Sequence, residues 1–506
     1  MRIRRDLKTE LGQHSVVQTG AEMVVKAEIK LRFKALGSDK NFPDELEALV
    51  EQAGQEYKQK LYGQLLEWGD RQEAGAQKLG QEKGEIQKIG YKGYSFKTIF
   101  GEIHIKRQRI KYKAENRSEI PSARVWETPR RVMITKGLRR LVCNLVLKES
   151  ISSAWEQVHN WVGTAELISR SSVLNILHEE GGSLVRAQEG RAKEVFDNMA
   201  EAQSLNISSR PAKYPRKESY LSYAFGYYEE EEELKGCRVK WEFEMGGRLK
   251  AEEAQKKLEK GLVVVELDEI KIPAQSPLGR EWLLMYTGVV NAGEGKYYFS
   301  GETANNLFYQ VGALLAVLGI HKGQRELRVI GDGAKWLRNW YKELELGRKS
   351  LVLCWYHLST YCYEQIKISF GPDIAFELGA SVVNDLWGGK VKEVLAKLEL
   401  ARGKAIRPGV LSKLLRYLKI RSTFIINYQL AQLEGRWIAN TRVEKFNDWV
   451  LAKRCKVAGE KWTYEGVKAI GALETARRNG ELEIWWETRE LPKWAAKKGQ
   501  AEAIGL

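Results

Sequence analysis

The sequence predicts an α/β protein, and two apolar segments that each lead to an acid are the main basis for this prediction. Residues 261–270 contain a run of β-branched residues that reaches Asp268, and residues 326–333 contain a second run that reaches Asp332. Apolar runs without alternation are typical of strands buried on both faces, which belong to the centre of α/β sheets. Functional groups of open sheets gather at the carboxyl ends of such strands, so both acids are candidate site residues.

The order of the predicted elements narrows the fold further. Three strands that follow one another closely enough to form hairpins precede a helix, a strand, a second helix and a fifth strand. The strands are predicted at 261–270, 281–291, 296–300, 326–333 and 350–357, and the helices at 303–320 and 334–344. This is the element order of a ribonuclease H-like fold. We expect the core to occupy 256–371 and 436–486, with a helical insertion at 372–435.

A third acid, Glu444, lies in a segment with helical periodicity, which would pack on the sheet and fix the carboxylate. The apolar residues of this segment are Val443, Phe446, Trp449 and Val450. Glu434 is the alternative third acid. It adjoins Gly435 at the predicted exit of the helical insertion, where a side chain would be poorly fixed.

Three carboxylates at these positions suit metal-dependent phosphodiester chemistry. Cleavage or transfer of a phosphodiester needs an activated water or 3′-hydroxyl and a stabilised leaving oxygen, and two Mg²⁺ ions roughly 3.5–4 Å apart supply both. Asp268, Asp332 and Glu444 offer the hard oxygen ligands that Mg²⁺ or Mn²⁺ prefers. We expect Asp268 to bridge the two ions, because its strand lies between the other two positions.

Four segments taken together resemble the DDE transposases of bacterial insertion sequences, and among these the ISKra group, which is related to Mutator-like elements. The segments are Val-Glu-Leu-Asp at 265–268, Val-Ile-Gly-Asp-Gly-Ala at 329–334, Leu-Cys-Trp-Tyr-His-Leu at 353–358 and Thr-Arg-Val-Glu at 441–444, with Arg454 and Lys461-Trp462 downstream. The resemblance covers about 255–486 and, loosely, the helical region before it. Family members often carry a small or glycine-bearing segment before the glutamate, whereas 435–442 precede Val443 here, so Glu434 stays open as the third acid.

The resemblance implies that Asp268, Asp332 and Glu444 form the catalytic triad and hold two Mg²⁺ or Mn²⁺ ions. It also implies that Cys354 and His357 correspond to the Cys/Asp-x-x-His motif of the family, with His357 at the catalytic site. The implied activity is cleavage of the ends of a mobile element and transfer of the 3′-hydroxyls to target double-stranded DNA, by a homo-oligomer on DNA. A nuclease that keeps only the hydrolytic step and a non-catalytic DNA-binding protein are the alternatives.

Cys354, His357 and Cys362 are residue types that bind zinc. No second Cys-x-x-Cys or His-x-x-x-His pair lies nearby in the sequence, whereas structural zinc is held by four protein ligands. We therefore expect a buried thiol, and a histidine that supports the acids by hydrogen bonding from the end of the fifth strand.

The N-terminal half is predicted to hold the DNA-binding parts. An N-terminal helical and β region, 1–120, contains the basic run 106–113, which suits either a phosphate backbone or a solvated edge strand protected by lysines. The region 121–205 is helical. Its two helices around Gly163, the second with a serine cap, have the outline of a helix-turn-helix, which any helical hairpin also shows. A charged linker, 206–255, follows, and a lysine-rich tail, 487–506, ends the chain.

Composition favours a nucleic-acid partner over a membrane. The chain of 506 residues has 82 Lys and Arg against 66 Asp and Glu, a formal net charge of +16. Five cysteines, an odd number without a dense framework, argue against an oxidising compartment. No apolar run approaches the roughly 20 residues that span a bilayer, so we expect a cytoplasmic protein.

The net charge predicts binding to DNA that is dominated by phosphate contacts. The logarithm of the association constant should fall linearly with the logarithm of salt concentration, with a slope of roughly −0.9 per neutralised phosphate, because each contact releases counterions. Fluorescence anisotropy of labelled duplex DNA between low and physiological salt measures this slope. An affinity that does not change over that range would contradict the prediction.

Overall fold

The computed structural model describes residues 8–11, 15–19, 22–26, 29–32, 42–75, 84–126, 130–163, 167–206, 261–275, 282–293, 295–323, 325–457 and 459–494. The predicted linker, apart from its first residue, and the end of the predicted tail lie outside these ranges. The chain divides into two compact units, Met1–Glu180 and Gly181–Leu506. Both units combine helices with sheets, so the protein is of the mixed α/β class.

The first unit is built around a four-stranded sheet in which strands pair in both directions. Its described strands are β1 Lys8–Leu11, β2 Ser15–Thr19, β3 Glu22–Lys26, β4 Ile29–Arg32, β5 Ile86–Thr98, β6 Gly101–Tyr112, β7 Arg117–Glu119 and β8 Val132–Ile134. The described helices are α1 Phe42–Gly75, α2 Pro121–Val125, α3 Lys136–Val146, α4 Ile151–Val162 and the start of α5 Arg170–Asn198. The strand order in the sheet is β7-β6-β5-β8, with β8 parallel to β5 and the other pairs antiparallel.

The predicted basic run 106–113 lies mostly on β6, which stands between β5 and β7 in the sheet order. It pairs with β5 along its whole length but with β7 only at residues 110–112, so residues 106–109 have a strand neighbour on one side alone. The run is also not uniformly exposed. Arg107 is fully buried, with its guanidinium 4.7 Å from the ring centroids of both Tyr94 and Trp126.

A buried carboxylate on α1 balances the charge of Arg107. Asp70 is 2% exposed, and one of its oxygens lies 3.7 Å from Arg107 Nε. The other oxygen accepts a hydrogen bond of 2.9 Å from the backbone N–H of Gln108. Asp70 also accepts from the hydroxyl of Ser122. The arginine therefore holds α1 against the sheet and is not available to a phosphate.

The substitution Asp70→Ala should destabilise the first unit by about 3–5 kcal/mol, because it leaves a guanidinium buried without its carboxylate. The control is Glu115→Ala, whose ion pair with Arg117 is more than half exposed on both sides and contributes at most about 1 kcal/mol. Amide hydrogen exchange within β6 reads out the local loss of stability. A loss of protection no greater than that of the control would contradict the prediction.

The second unit contains a five-stranded mixed sheet with helices on both faces. Its described strands are β9 Leu262–Pro273, β10 Trp282–Asn291, β11 Lys296–Gly301, β12 Glu326–Gly331 and β13 Lys349–Leu353. The order in the sheet is β11-β10-β9-β12-β13. The pairs β11–β10 and β10–β9 are antiparallel, whereas β9, β12 and β13 run parallel. The predicted succession of strands and helices in this part of the chain is confirmed.

The helices of the second unit follow the strands in two groups. After the end of α5 come α6 Ala304–Val317, α7 Lys335–Glu343, α8 Trp355–Ser369, α9 Pro372–Trp387, α10 Val391–Leu400, α11 Pro408–Arg421 and α12 Tyr428–Leu433. The last group is α13 Thr441–Phe446, a π-helical turn Asn447–Ala452, α14 Lys453–Cys455, α15 Tyr464–Arg478 and α16 Leu482–Thr488. The predicted helical insertion corresponds to α9–α12.

Strand β9 is buried on both faces, as the apolar run predicts. Val263, Val265 and Leu267 belong to a hydrophobic cluster that includes residues of α6 and α7. Leu262 and Val264 belong to the opposite cluster, which includes residues of α8 and of the insertion helices. The insertion therefore covers one face of the central sheet.

The structure differs most from the sequence prediction at two places. The fifth strand ends at Leu353 and not at His357, because the N–H of Cys354 makes the last ladder bond, to Gly331, and α8 starts at Trp355. The apolar and aromatic residues 484–486, which in the sequence indicate a strand or turn, form part of helix α16 instead. Leu482, Trp485 and Trp486 are spaced so that one helical face is buried.

Candidate active site

The first two acids lie level with each other, although β9 continues beyond Asp268 to Pro273 in its pairing with β10. Asp268 lies on β9, and Asp332 follows directly after β12, the parallel neighbour of β9. Ile330 pairs with Glu266, so Asp332 emerges level with Asp268. The residue before Asp332 is a glycine because there is no space for a side chain. A Cβ at Gly331 would lie 2.3 Å from a methyl group of Leu337.

Asp268 is held by a hydrogen-bond chain. The Nδ2 of Asn447 donates to Asp268 Oδ2 at 2.9 Å, and the hydroxyl of Thr287 donates to Asn447 Oδ1 at 2.8 Å. Thr287 lies opposite Asp268 on β10, whereas Asn447 opens the π-helical turn after Glu444. Turns of this kind are frequent at functional sites. Burial, followed by the negative charge of Asp332, raises the pKa of Asp268 to about 7.

Glu444 is positioned by a second carboxylate on β9. Glu266 is 1% exposed and accepts hydrogen bonds from the backbone N–H groups of Arg442 and Val443, at 2.8 and 3.2 Å. The guanidinium of Arg442 donates to the other oxygen of Glu266 at 2.7 Å. Glu266 and Asp268 are two residues apart on one strand and so face the same side of the sheet. Strand β9 therefore carries one acid and fixes the first turn of the helix that carries another.

The structure places Glu444, and not Glu434, beside Asp268. Burial raises the pKa of Glu444 to about 7, and the charges of Asp268 and Glu266 act in the same direction. His357 opposes this shift, with its Nδ1 3.5 Å from Glu444 Oε1. Glu434, by contrast, is exposed at the end of α12 and lies 3.0 Å from the guanidinium of Arg436.

His357 lies in the first turn of α8 and not at the end of a strand. One donor atom each from Cys354, His357 and Glu444 lies within 4.8 Å of the other two. Within the described ranges, this is the one group of three or more potential metal ligands that is gathered so closely. The three acids are arranged more loosely, with Asp268 electrostatically linked to Asp332 on one side and to Glu444 on the other.

The acids fit a divalent cation. Their carboxylate oxygens are hard ligands, and a bound cation would oppose both burial and the neighbouring negative charges, which together raise the pKa of Asp268 and Glu444. A carboxylate cluster of this kind is costly to bury without a counterion. The site thus has both the ligands and the electrostatic need for a metal.

Two arginines border the acids at Asp332. The Nε of Arg338 donates to the carbonyl of Gly333 at 3.0 Å, and its pKa is lowered by burial and by the charge of Arg421, whereas Asp332 raises it. Gly333 has a φ of +71°, and a Cβ there would lie 2.9 Å from Arg421 Nε. Arg421 is the last residue of α11, so the helical insertion places a cation at the site.

Sequence reasoning missed Glu266, Asn447 and Thr287 as site residues. Glu266 carried a signal, because a charged residue within an otherwise apolar buried strand needs a partner. Asn447 and Thr287 carried none, because an amide and a hydroxyl are common in helices and strands of any role.

The chain matches no protein-family model and no curated protein. Among the described helices, none combines the length and the apolar character that crossing a membrane requires. What the fold and the site define is a mixed α/β protein with a carboxylate cluster at the carboxyl edge of its parallel strands.

Addition of Mg²⁺ or Mn²⁺ should raise the melting temperature of the wild-type protein, because an ion among the acids binds only the folded state. Without metal, Asp268→Asn should melt a few degrees higher than the wild type near pH 8, because it removes one of the mutually repelling carboxylates. The variant should also lose most of the stabilisation by metal. Differential scanning fluorimetry measures both effects.

The matched control is Glu434→Gln, which removes an exposed carboxylate and should respond to metal as the wild type does. An equal rise in melting temperature on metal addition in Asp268→Asn and Glu434→Gln would contradict the assignment of Asp268 as a ligand.

Proposed function

We propose that this protein is a DDE-type DNA transposase, which cleaves the ends of an insertion sequence and joins the 3′-hydroxyl ends to target DNA. The observation that carries the proposal is the meeting of three acids from distant segments at one sheet edge. Asp268 lies within β9, Asp332 directly follows its parallel neighbour, and the buried Glu266 fixes the helix that brings Glu444 to Asp268. The resemblance to this family singles out the same three acids.

The topology of the sheet supports a ribonuclease H-like core. Three antiparallel strands are followed by two strands parallel to the first of them, in the order β11-β10-β9-β12-β13. The acids lie on the central strand, after its parallel neighbour, and on a helix that follows a long helical insertion. This is the arrangement that the resemblance of the four segments leads us to expect of the proposed class.

Asp268, Asp332 and Glu444 would hold two Mg²⁺ or Mn²⁺ ions. Such ions, when bound, activate a water or 3′-hydroxyl and stabilise the leaving oxygen. The protein's own contribution is orientation. Asn447 fixes one oxygen of Asp268, and the backbone N–H of Ala334 donates to Asp332 Oδ1 at 2.8 Å. His357 faces Glu444, so it can hold that carboxylate in place as the DNA backbone enters.

Double-stranded DNA is the proposed partner. Arg338 and Arg421 place two cations beside Asp332, at the edge where a scissile phosphate would approach the acids. The segment that carries Glu444 exposes Lys445 and Lys453. These cations accord with the net charge of +16. We propose that the protein acts as a homo-oligomer, because two element ends must be cut and joined together.

The substitution Glu444→Gln preserves the shape of the side chain and removes its charge. It should lower Mg²⁺-dependent nicking of duplex DNA by about 100-fold or more, because transition-state charge loses its stabilisation. Binding to DNA, measured by fluorescence anisotropy, should persist. Glu434→Gln is the control and should nick at nearly the wild-type rate.

A nicking assay in which Glu434→Gln is the inactive variant would overturn the assignment of Glu444. Strand transfer from a donor DNA with a pre-cut 3′-hydroxyl end is the second measurement. Joined product supports a transposase, whereas nicking without joined product would show a metal-dependent nuclease. Binding without either product would show a non-catalytic DNA-binding protein.

A further inference from the structure

The first turn of α8 and the helix α13 bring a thiol, an imidazole and a carboxylate together. Cys354 immediately precedes α8, and His357 lies one turn further on, so both side chains share one side of the helix start. Glu444 reaches them from α13, whose position is fixed by Glu266. The three donor atoms lie within 4.8 Å of one another.

Two polar side chains here, those of His357 and Asn440, have buried atoms without a hydrogen-bond partner in the surrounding protein. The Nδ1 of His357 is buried without a hydrogen-bond partner, and it is 3.5 Å from Glu444 Oε1, which is longer than an N–H···O hydrogen bond. Asn440, whose backbone amide adjoins the Cys354 sulfur, is fully buried, and neither of its side-chain polar atoms has a partner. Buried groups of this kind are normally paired with protein, water or a bound ligand.

We infer that Cys354, His357 and Glu444 form a binding site for a transition-metal ion, of which Zn²⁺ is the best fit. A sulfur, a nitrogen and an oxygen ligand suit Zn²⁺ or Co²⁺, whereas Mg²⁺ prefers oxygen ligands alone. Three protein ligands leave a fourth tetrahedral position for water or substrate. The sequence does not reveal this site, because the ligand that joins the Cys-x-x-His pair is Glu444, on a distant segment.

This site would share Glu444 with the acid cluster. One oxygen of the carboxylate faces His357, which leaves the other for a cation near Asp268. A zinc ion here would fix the orientation of Glu444, which His357 faces at 3.5 Å without a hydrogen bond. The inference rests on the geometry of three side chains and not on the proposed activity, so the two can fail separately.

The test is the metal content of the full-length protein after incubation with Zn²⁺ and dialysis, measured by plasma mass spectrometry. The wild type should retain one Zn²⁺ per chain in the presence of excess Mg²⁺. Cys354→Ser and His357→Gln should each bind Zn²⁺ more than about tenfold more weakly. The control is Cys362→Ser, which removes another buried thiol of the same helix and should bind as the wild type does.

Cobalt substitution provides a measurement on the wild-type protein itself, which does not depend on the stability of any variant. Wild-type protein loaded with Co²⁺ should show thiolate-to-metal charge-transfer absorption, and Cys362→Ser should retain it. Wild-type protein that takes up no Zn²⁺ and shows no such absorption would overturn the inference, whatever its activity on DNA. Loss of the absorption in Cys362→Ser but not in Cys354→Ser would overturn it as well. Stoichiometric zinc in a protein that does not nick DNA would support the site and count against the transposase proposal.

Discussion

The buried carboxylate of Glu266 is the interaction on which the arrangement of the site depends. Taking a carboxylate out of water is costly unless it is paired and hydrogen-bonded. Glu266 meets this requirement with two backbone N–H groups and the guanidinium of Arg442. These donors all belong to the first turn of one helix, so the charge can be satisfied only when that helix docks at this place on β9. Folding of the strand and placement of Glu444 are thereby coupled.

Much of the central sheet could be predicted from the sequence, because its signals are local. The apolar runs of β9 and β12 identify the strands, and the acids at Asp268 and Asp332 follow from their positions in those runs. Contacts across 160 to 179 residues, such as those of Asn447 with Thr287 and Asp268, have no local signal. The end of the fifth strand was misjudged for a related reason. Cys354 and Trp355 continue its apolar run, and only the hydrogen bond of Cys354 to Gly331 shows where the strand stops.

The sequence also predicted poorly which charged residues are exposed and which are buried. The basic run 106–113 looks like one continuous surface in the sequence, yet the fold withdraws Arg107 into the core with Asp70. In the second unit, packing brings a charge to the site instead of withdrawing one. The helical insertion gives no sign in its sequence of a role at the acids, yet Arg421 at the end of α11 reaches Gly333 beside Asp332. Which charges face a partner is decided by packing.

The π-helical turn Asn447–Ala452 constrains the length of the chain as well as its composition. A π-helical turn holds one residue more than an α-helical turn, so residues on its two sides keep a different angular relationship. Asn447, at its start, faces Asp268, whereas Arg454, just beyond it, is buried with Glu460 and over the ring of Trp462. Deleting one residue between them would restore a regular helix, but it would rotate one of these anchors away from its partner by about a quarter turn. Homologous chains should therefore keep the same number of residues between these two anchors, even where the residues themselves differ.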